Sequence, residues 1–335
     1  MSQYETPEAR PQVVSRLGLY LPTLLFVSLA LAWSAFWFYA TNKADERLMQ
    51  WLQAEKAIGH SIECIGKDLG GFPFRIELTC ASLKYAGPNV RVDMGALHTA
   101  TQIYSPKITI MDVTGPLLIE SAGVSASLEW KDMRLSLRLN QGLERLSISV
   151  SELKIASNTE EALFAKSAEL HLRTDTNQPT EERAADFVLR LTGAKVAALD
   201  SIFGNNDPGA LDISGVATKI LGLPAGPWQT MVENWRNDNG RVLLESGSIA
   251  KGNFSLEGKG VLDIDPGHRI RGELAVAAKG IAPLVARLVP GNVALLAGAI
   301  LEHKDGTPVK LPLRLQEGRM SLGPIRTGPI LIPLY

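Results

Sequence analysis

The chain has 335 residues, with 34 Lys plus Arg against 35 Asp plus Glu, so its formal net charge of -1 gives no electrostatic reason to expect nucleic acid as a partner. Aromatics are only 6%, whereas 30 glycines and 19 prolines suit many short strands joined by turns. This length builds one large domain or two ordinary ones, each with a sizeable core.

Residues 1–15, MSQYETPEARPQVVS, are polar and without periodicity, and read as a disordered cytoplasmic tail. Residues 16–40 are expected to form a transmembrane helix. From Leu17 to Ala40 the chain reads LGLYLPTLLFVSLALAWSAFWFYA, with no charge between Arg16 and Lys43. About 20 apolar residues at ~1.5 Å each cross a hydrocarbon core of ~30 Å. Tyr20 lies at one end and Trp33, Phe36, Trp37, Phe38 and Tyr39 at the other, where rings settle at headgroup level. Ala30-Leu31-Ala32 has the small-x-small form of a signal peptidase site, so a leader cleaved after Ala32 is the alternative. The apolar run continues past Ala32 to Ala40, which suits a retained anchor better.

Arg10 and Arg16 precede the run and Lys43, Arg47 and Lys56 follow it, so the positive-inside rule is nearly silent. An outward C-terminal domain is expected because long downstream domains translocate largely regardless of charge. Residues 41–59 continue as an amphipathic juxtamembrane helix, with Leu48, Trp51, Leu52 and Glu55 at helical spacing and Gly59 as its stop.

Residues 60–335 read as an extracytoplasmic β-rich domain. Its two cysteines, Cys64 and Cys80, are the only ones in the chain. They form either a disulfide, closing a loop of about 15 residues worth around 3 kcal/mol, or two buried thiols. With only His60 nearby they supply no familiar metal set. Gly70-Gly71-Phe72-Pro73-Phe74-Arg75 makes a tight entry into a strand in which residues 74, 76, 78 and 80 face inward. The glycines either receive a ligand or, as expected, shape a turn that docks two Phe rings into the core.

The period of two then recurs. Ile108 and Ile110 alternate with Lys107 and Thr109; Met133, Leu135, Leu137 and Leu139 alternate with Arg134, Ser136, Arg138 and Asn140. Leu146, Ile148 and Val150 follow, then Ala168, Leu170 and Leu172, then Phe187, Leu189 and Leu191. The fold class is mainly β: an elongated antiparallel meander, curved or groove-forming, with few short helices. Helices are expected at residues 194–203 and 226–239, and apolar ones at 281–289 and 293–301. Between them lie strands at 242–244, 254–258, 261–264 and 272–277, and the chain closes with strands at 309–315 and 319–322. The ending PIRTGPILIPLY is too rich in proline for a central strand.

No H-E-x-x-H, G-x-S-x-G or strand-linked G-x-G-x-x-G occurs, and the segment from Gly252 to Gly260 reads as a hairpin rather than a phosphate loop. His60, His98, His171, His268 and His303 stand singly. No catalytic or metal residue is assigned and no cofactor is expected. The physical remainder is a set of long sheets whose apolar faces need cover. Leu135, Leu137, Leu146, Ile148, Leu170, Leu189, Phe254 and Leu256 are the inward residues expected to line either a groove for lipid or an ordinary sealed core. The expected function is non-enzymatic: a membrane-anchored protein that binds or conducts phospholipid or another envelope lipid. The alternatives are a structural or assembly factor binding other envelope proteins, and a hydrolase built from residues remote in sequence.

The N-terminal anchor, the stretch GGFPFRIELTC and the terminal GRMSLGPI and PLY resemble the bacterial envelope family catalogued as domain of unknown function 2125. The likeness covers nearly the whole chain, and Gly70 to Arg75 is its most specific piece. It implies a single-pass protein of the bacterial inner membrane with a periplasmic domain. The section from Trp235 to Val289 is more weakly similar to the β-rich repeats of AsmA-like envelope proteins. That likeness implies a curved sheet with an apolar groove, in a group associated with lipid transport or outer-membrane homeostasis.

Overall fold

The computed structural model describes residues 17–121, 123–140, 142–158, 163–224, 227–281, 307–323, 325–329 and 331–335. The tail at 1–15 and the two apolar helices expected within 281–301, apart from Ile281, lie outside the described residues. The apolar run and the expected juxtamembrane helix are one unbroken helix, α1 (Leu17–Ala57), of 41 residues. At 1.5 Å per residue it is about 60 Å long, twice the thickness of a hydrocarbon core.

Twenty antiparallel strands in one sheet follow among the described residues. They are β1 (Ser61–Ile65), β2 (Asp68–Gly70), β3 (Arg75–Cys80), β4 (Ser82–Ala86), β5 (Val90–Met94), β6 (Leu97–Gln102), β7 (Ser105–Val113), β8 (Leu117–Ser121), β9 (Val124–Glu129) and β10 (Asp132–Leu139). The longer strands follow: β11 (Leu143–Ser157), β12 (Leu163–Thr174), β13 (Ala185–Val196), β14 (Gly209–Ala217), β15 (Val242–Lys251), β16 (Phe254–Ile264), β17 (Ile270–Lys279), β18 (Val309–Gln316), β19 (Arg319–Leu322) and β20 (Ile325–Pro329). Two short helices, α2 (Ala197–Phe203) and α3 (Trp228–Asn237), fall inside the two segments expected to be helical. The two strands expected at 254–258 and 261–264 are one, because Gly258 and Gly260 keep extended pairing with β15 and β17.

The pairings reduce to a simple meander. β1 and β2 are two halves of one long strand, as are β3 and β4, β5 and β6, β7 and β8, and β9 and β10. Each half pairs with the matching half of the next long strand: β2 with β3 and β1 with β4, β3 with β6 and β4 with β5, β6 with β7 and β5 with β8, β7 with β10 and β8 with β9. Unbroken β11 then pairs with both β10 and β9. From β11 to β20 every strand pairs with its sequence neighbour.

The interruptions line up as a crease. It runs through Gly66 at φ 66°, Gly95, the Gly115-Pro116 pair and Glu152 at φ 50°. A Cβ on Gly95 would sit 2.4 Å from the Thr114 carbonyl oxygen, so the neighbouring strand fits only against glycine. Pro116 offers no N–H to a ladder. Trp130 closes the crease, its indole N–H donating to the Val113 carbonyl at 2.8 Å.

Directly opposed residues share a face, so the register sorts every side chain. One face is apolar. The other carries cross-strand ion pairs: Arg134 with Asp112 at 2.7 Å, Arg190 with Asp212 at 3.0 Å, Arg271 with Asp263 at 2.7 Å and Arg314 with Glu273 at 3.1 Å, together with Arg173 and Asp186. Such exposed pairs contribute about 1 kcal/mol or less each. Their larger effect is on register, since a one-residue slip would exchange the two faces. For β7 the alternation assigned Ile108 and Ile110 inward, and the register reverses it. Ile108 lies opposite Arg138 and Ile110 opposite Ser136, while Thr109, Met111 and Val113 join the apolar face. Thr109 is tolerated there because its hydroxyl bonds that of Thr101 at 2.8 Å.

The core is thin. Among the described residues thirteen hydrophobic side chains are buried, and the largest fully enclosed ones are Ile281 and Cys80. The chain exposes 22284 Å², about 1.7 times the roughly 13,000 Å² of a compact monomer of 36.2 kDa. The long helix and the open sheet both contribute to that excess.

The extension of α1 runs beside the first long strand, with Lys67 paired to Asp45 at 2.5 Å and His60 to Glu55 at 2.9 Å. A helix thereby shields the edge that would otherwise offer itself to another chain. Cys64 and Cys80 form a disulfide that joins β1 to β3 beside the crease. Its two ends belong to opposite halves of neighbouring long strands. Replacing both cysteines with serine is expected to lower stability by about 3 kcal/mol in urea unfolding of the detergent-solubilised chain. Adding reductant to the unaltered chain should reproduce the loss.

Candidate functional site

The register brings six of the eight predicted groove residues into contact across four strands. Leu135 opposes Ile148 and Leu137 opposes Leu146; Ile148 then opposes Leu170, and Leu170 opposes Leu189. The row continues through Ile213, Gly247, Gly258, Val276 and Leu311. Toward the N-terminus it runs through Met111, Thr99 and Leu78. Leu256 lies one step along β16, between Ile249 and Ala278. Leu211 and Ile213 alternate as clearly as Leu170 and Leu172, yet the glycines around them masked the strand from sequence reasoning.

Exposure separates these residues into two kinds. Leu135, Leu137, Leu146, Ile148, Leu170, Leu189 and Leu256 are all half-buried. Central positions of a two-sheet sandwich would be enclosed from both sides. Phe254 is different: it is buried with Ala278 and Ile281, its ring 4.8 Å from that of Phe203. It belongs to a small sealed cluster at one end of the sheet, against which Leu256 also packs, so neither of these two predicted residues lines the open row.

The Gly70 to Arg75 stretch is positioned by α1 rather than by the core. The Phe72 and Phe74 rings, expected to dock inward, are 54% and 57% exposed. They lie against the helix instead, Phe72 edge-on to Trp37 at 5.4 Å and Phe74 at 6.0 Å from Trp33. The Trp33 indole donates to the Pro73 carbonyl at 2.9 Å and the Trp37 indole to the Arg75 carbonyl at 2.7 Å. Trp37 is 6% exposed, the most enclosed side chain of the helix. Gly71 takes φ 95°, and a Cβ there would meet the Arg75 carbonyl oxygen at 2.8 Å, which explains the second glycine. Sequence reasoning placed both tryptophans in a headgroup belt and gave no sign of this pairing across forty residues.

The terminal PLY is also fixed. Leu331 donates its N–H to the Gly318 carbonyl at 3.0 Å and Leu334 to that of His268 at 2.8 Å. The Tyr335 ring stacks on His268 at 4.5 Å, and its hydroxyl donates to the Glu233 carboxylate. Bonds from Arg236 and Tyr335 hold the Glu233 carboxyl down at about 2, against an ordinary 4.5. Burial, and then the bond to Glu233, push the Tyr335 hydroxyl up.

Converging polar chemistry does not accompany the apolar row. Among the described residues no group of three or more His, Cys, Asp or Glu is placed to hold a metal ion. His60, His98, His171 and His268 each face a single carboxylate, while His303 lies outside the described residues. A cavity of about 1290 Å³ opens on the charged face of β15–β18, where Glu257, Lys259, Glu273 and Lys310 mix both signs. Mixed charge supplies no anchor for a ligand of one sign.

Two outcomes follow. Leu146→Ala and Leu170→Ala should each cost about 1 kcal/mol in urea unfolding, well short of the 2–5 kcal/mol of a sealed core. A carboxyl held low by folding stabilises above its ordinary value and loses that effect as pH falls toward the lowered one. Hydrogen-exchange protection of the Leu334 amide should therefore decline between about pH 4.5 and 2, and Glu233→Gln should abolish that decline.

Residues 37–330 match the model of a family described as an uncharacterized protein conserved in bacteria (DUF2125). No curated protein and no solved structure matches the chain. The AsmA-like resemblance of residues 235–289 thus rests on the sequence alone.

Proposed function

We propose that this chain, which belongs to the DUF2125 family, is a non-enzymatic single-pass protein of the bacterial inner membrane whose apolar sheet face holds the acyl chains of phospholipid or another envelope lipid. The observation that carries this reading is the half-buried row from Leu78 on β3 to Ile213 on β14, with no second layer over it among the described residues. An apolar surface of that extent is costly in water at roughly 25 cal/mol per Å². An acyl chain matches it, because it needs no hydrogen bonds and lies along a row of leucines in any register.

The anchor supports the membrane assignment: among the described residues one helix, running to Ala57, is long and apolar enough to cross a bilayer. The disulfide supports a periplasmic sheet, since such bonds persist in oxidising compartments. The N-terminus is then cytoplasmic. With no converging polar groups beside the apolar row among the described residues, binding or conduction of lipid is favoured over its hydrolysis.

The test is a photoactivatable amino acid at Leu146 or Leu170 in the full-length chain in cells, with Ser147 on the charged face as control. Irradiation should give lipid adducts at the two leucines and none at Ser147. Leu146→Glu with Leu170→Glu should remove lipid captured at a probe on Leu189. Adducts to a protein alone would replace this reading with that of an envelope assembly factor.

A further inference from the structure

The geometry points to the Phe72-Pro73-Phe74 turn as a wedge that sits inside the bilayer, in the leaflet at the C-terminal end of the transmembrane run. This rests on the reading that Leu17 to Ala40 spans the membrane, and it does not need the lipid face to be occupied.

The depth follows from the two indole bonds. Trp33 and Trp37 lie within the apolar run and hold the carbonyls of Pro73 and Arg75. Measured back from Ala40, Trp33 is roughly 10 Å inside the run; measured from Leu17 across a 30 Å core, it is roughly 6 Å inside the far boundary. Either way the turn shares the depth of Trp33. A loop tied to that point of a spanning helix has no aqueous place to go.

Its backbone is prepared for such a setting. Non-helical chain survives at membrane depth only where its polar groups are satisfied by protein. The Gly71 carbonyl accepts from Arg75 N–H at 2.9 Å and the Phe74 carbonyl from Ile103 N–H at 3.1 Å. The Pro73 and Arg75 carbonyls take the tryptophans, and Pro73 has no N–H to leave bare. A turn destined for water would not need indoles to satisfy its carbonyls.

The side chains agree. Phe72 and Phe74 are exposed, and the adjoining β6–β7 turn presents Tyr104 at 64% exposure. The next turn on the same side, farther from α1, follows Leu139 and is polar, carrying Asn140 and Gly142. Turns at the opposite ends of these strands carry Gly87, Pro88 and Asn89, or Ser121 and Gly123. Apolar tips therefore gather at the two turns nearest α1, those of Phe72 to Phe74 and of Tyr104. Arg75 directly follows the wedge, its exposed guanidinium 3.6 Å from the Glu77 carboxylate and still open on its outer side to headgroup phosphate.

The test uses the full-length, oxidised chain in phosphatidylethanolamine and phosphatidylglycerol vesicles, with a nitroxide on Phe74→Cys, Phe72→Cys or Tyr104→Cys. Asn89→Cys serves as the aqueous reference and Phe36→Cys as the lipid reference. The ratio of oxygen to nickel-chelate collisions should be several-fold higher at 74 than at 89 and close to that at 36. A ratio at 72 and 74 equal to that at 89, with 36 reading as lipid, overturns the wedge. Because the Phe36 label reports the anchor itself, failure of the spanning reading would show as an aqueous signal there and would also overturn the wedge. Should the wedge hold while cross-linking at Leu170 gives no lipid, the proposed function fails and the wedge stands.

Discussion

A sheet with one apolar and one charged face, and no second layer over it among the described residues, is the constraint from which the rest of this structure follows. In most β proteins the apolar face is consumed by a facing sheet or by helices. Here the chain returns on itself strand after strand in plain antiparallel order, which sets the leucines from Leu135 to Leu211 on one side and the cross-strand Arg–Asp pairs on the other. Two ends of the apolar face are sealed locally. Cys80, Val113 and Val150 are buried at the crease, and Phe254, Ala278 and Ile281 at the far cluster. The stretch between them, around Leu137, Leu146, Leu170 and Leu189, stays half open.

The long apolar helix is part of this arrangement, not an appendage to it. Its tryptophans hold the first turn of the sheet, its charged extension lies along the first strand, and the disulfide fixes that strand to the next across the crease. With α1 in the bilayer, as proposed, a face that begins beside its apolar run and continues through the strands is suited to receive something from the membrane. This continuity, more than any individual residue, supports the lipid reading.

Much of the fold was legible because the signals are local. Side chains alternate with period two, so Met133 to Leu139 against Arg134 to Asn140 reveals a one-sided strand without any knowledge of its partners. Six of the eight predicted groove residues meet for the same reason. What failed needed information from elsewhere in the chain. The inward face of β7 depends on a register set by the Gln102 to Ser105 turn, which isoleucine content at 108 and 110 contradicts. The crease depends on Gly66, Gly95 and Gly115 falling side by side. Phe72 and Phe74 read as core rings because nothing in the hairpin announces that Trp33 and Trp37 will meet it.

The most direct measurement is native mass spectrometry of the full-length chain released from nanodiscs of bacterial phospholipid. The account predicts retained lipid adducts that disappear when Leu170 and Leu189 are both made glutamate but persist when Ser147 and His171 on the opposite face are changed to alanine. Adducts that are absent from the start, or that survive the glutamate pair unchanged, would contradict it.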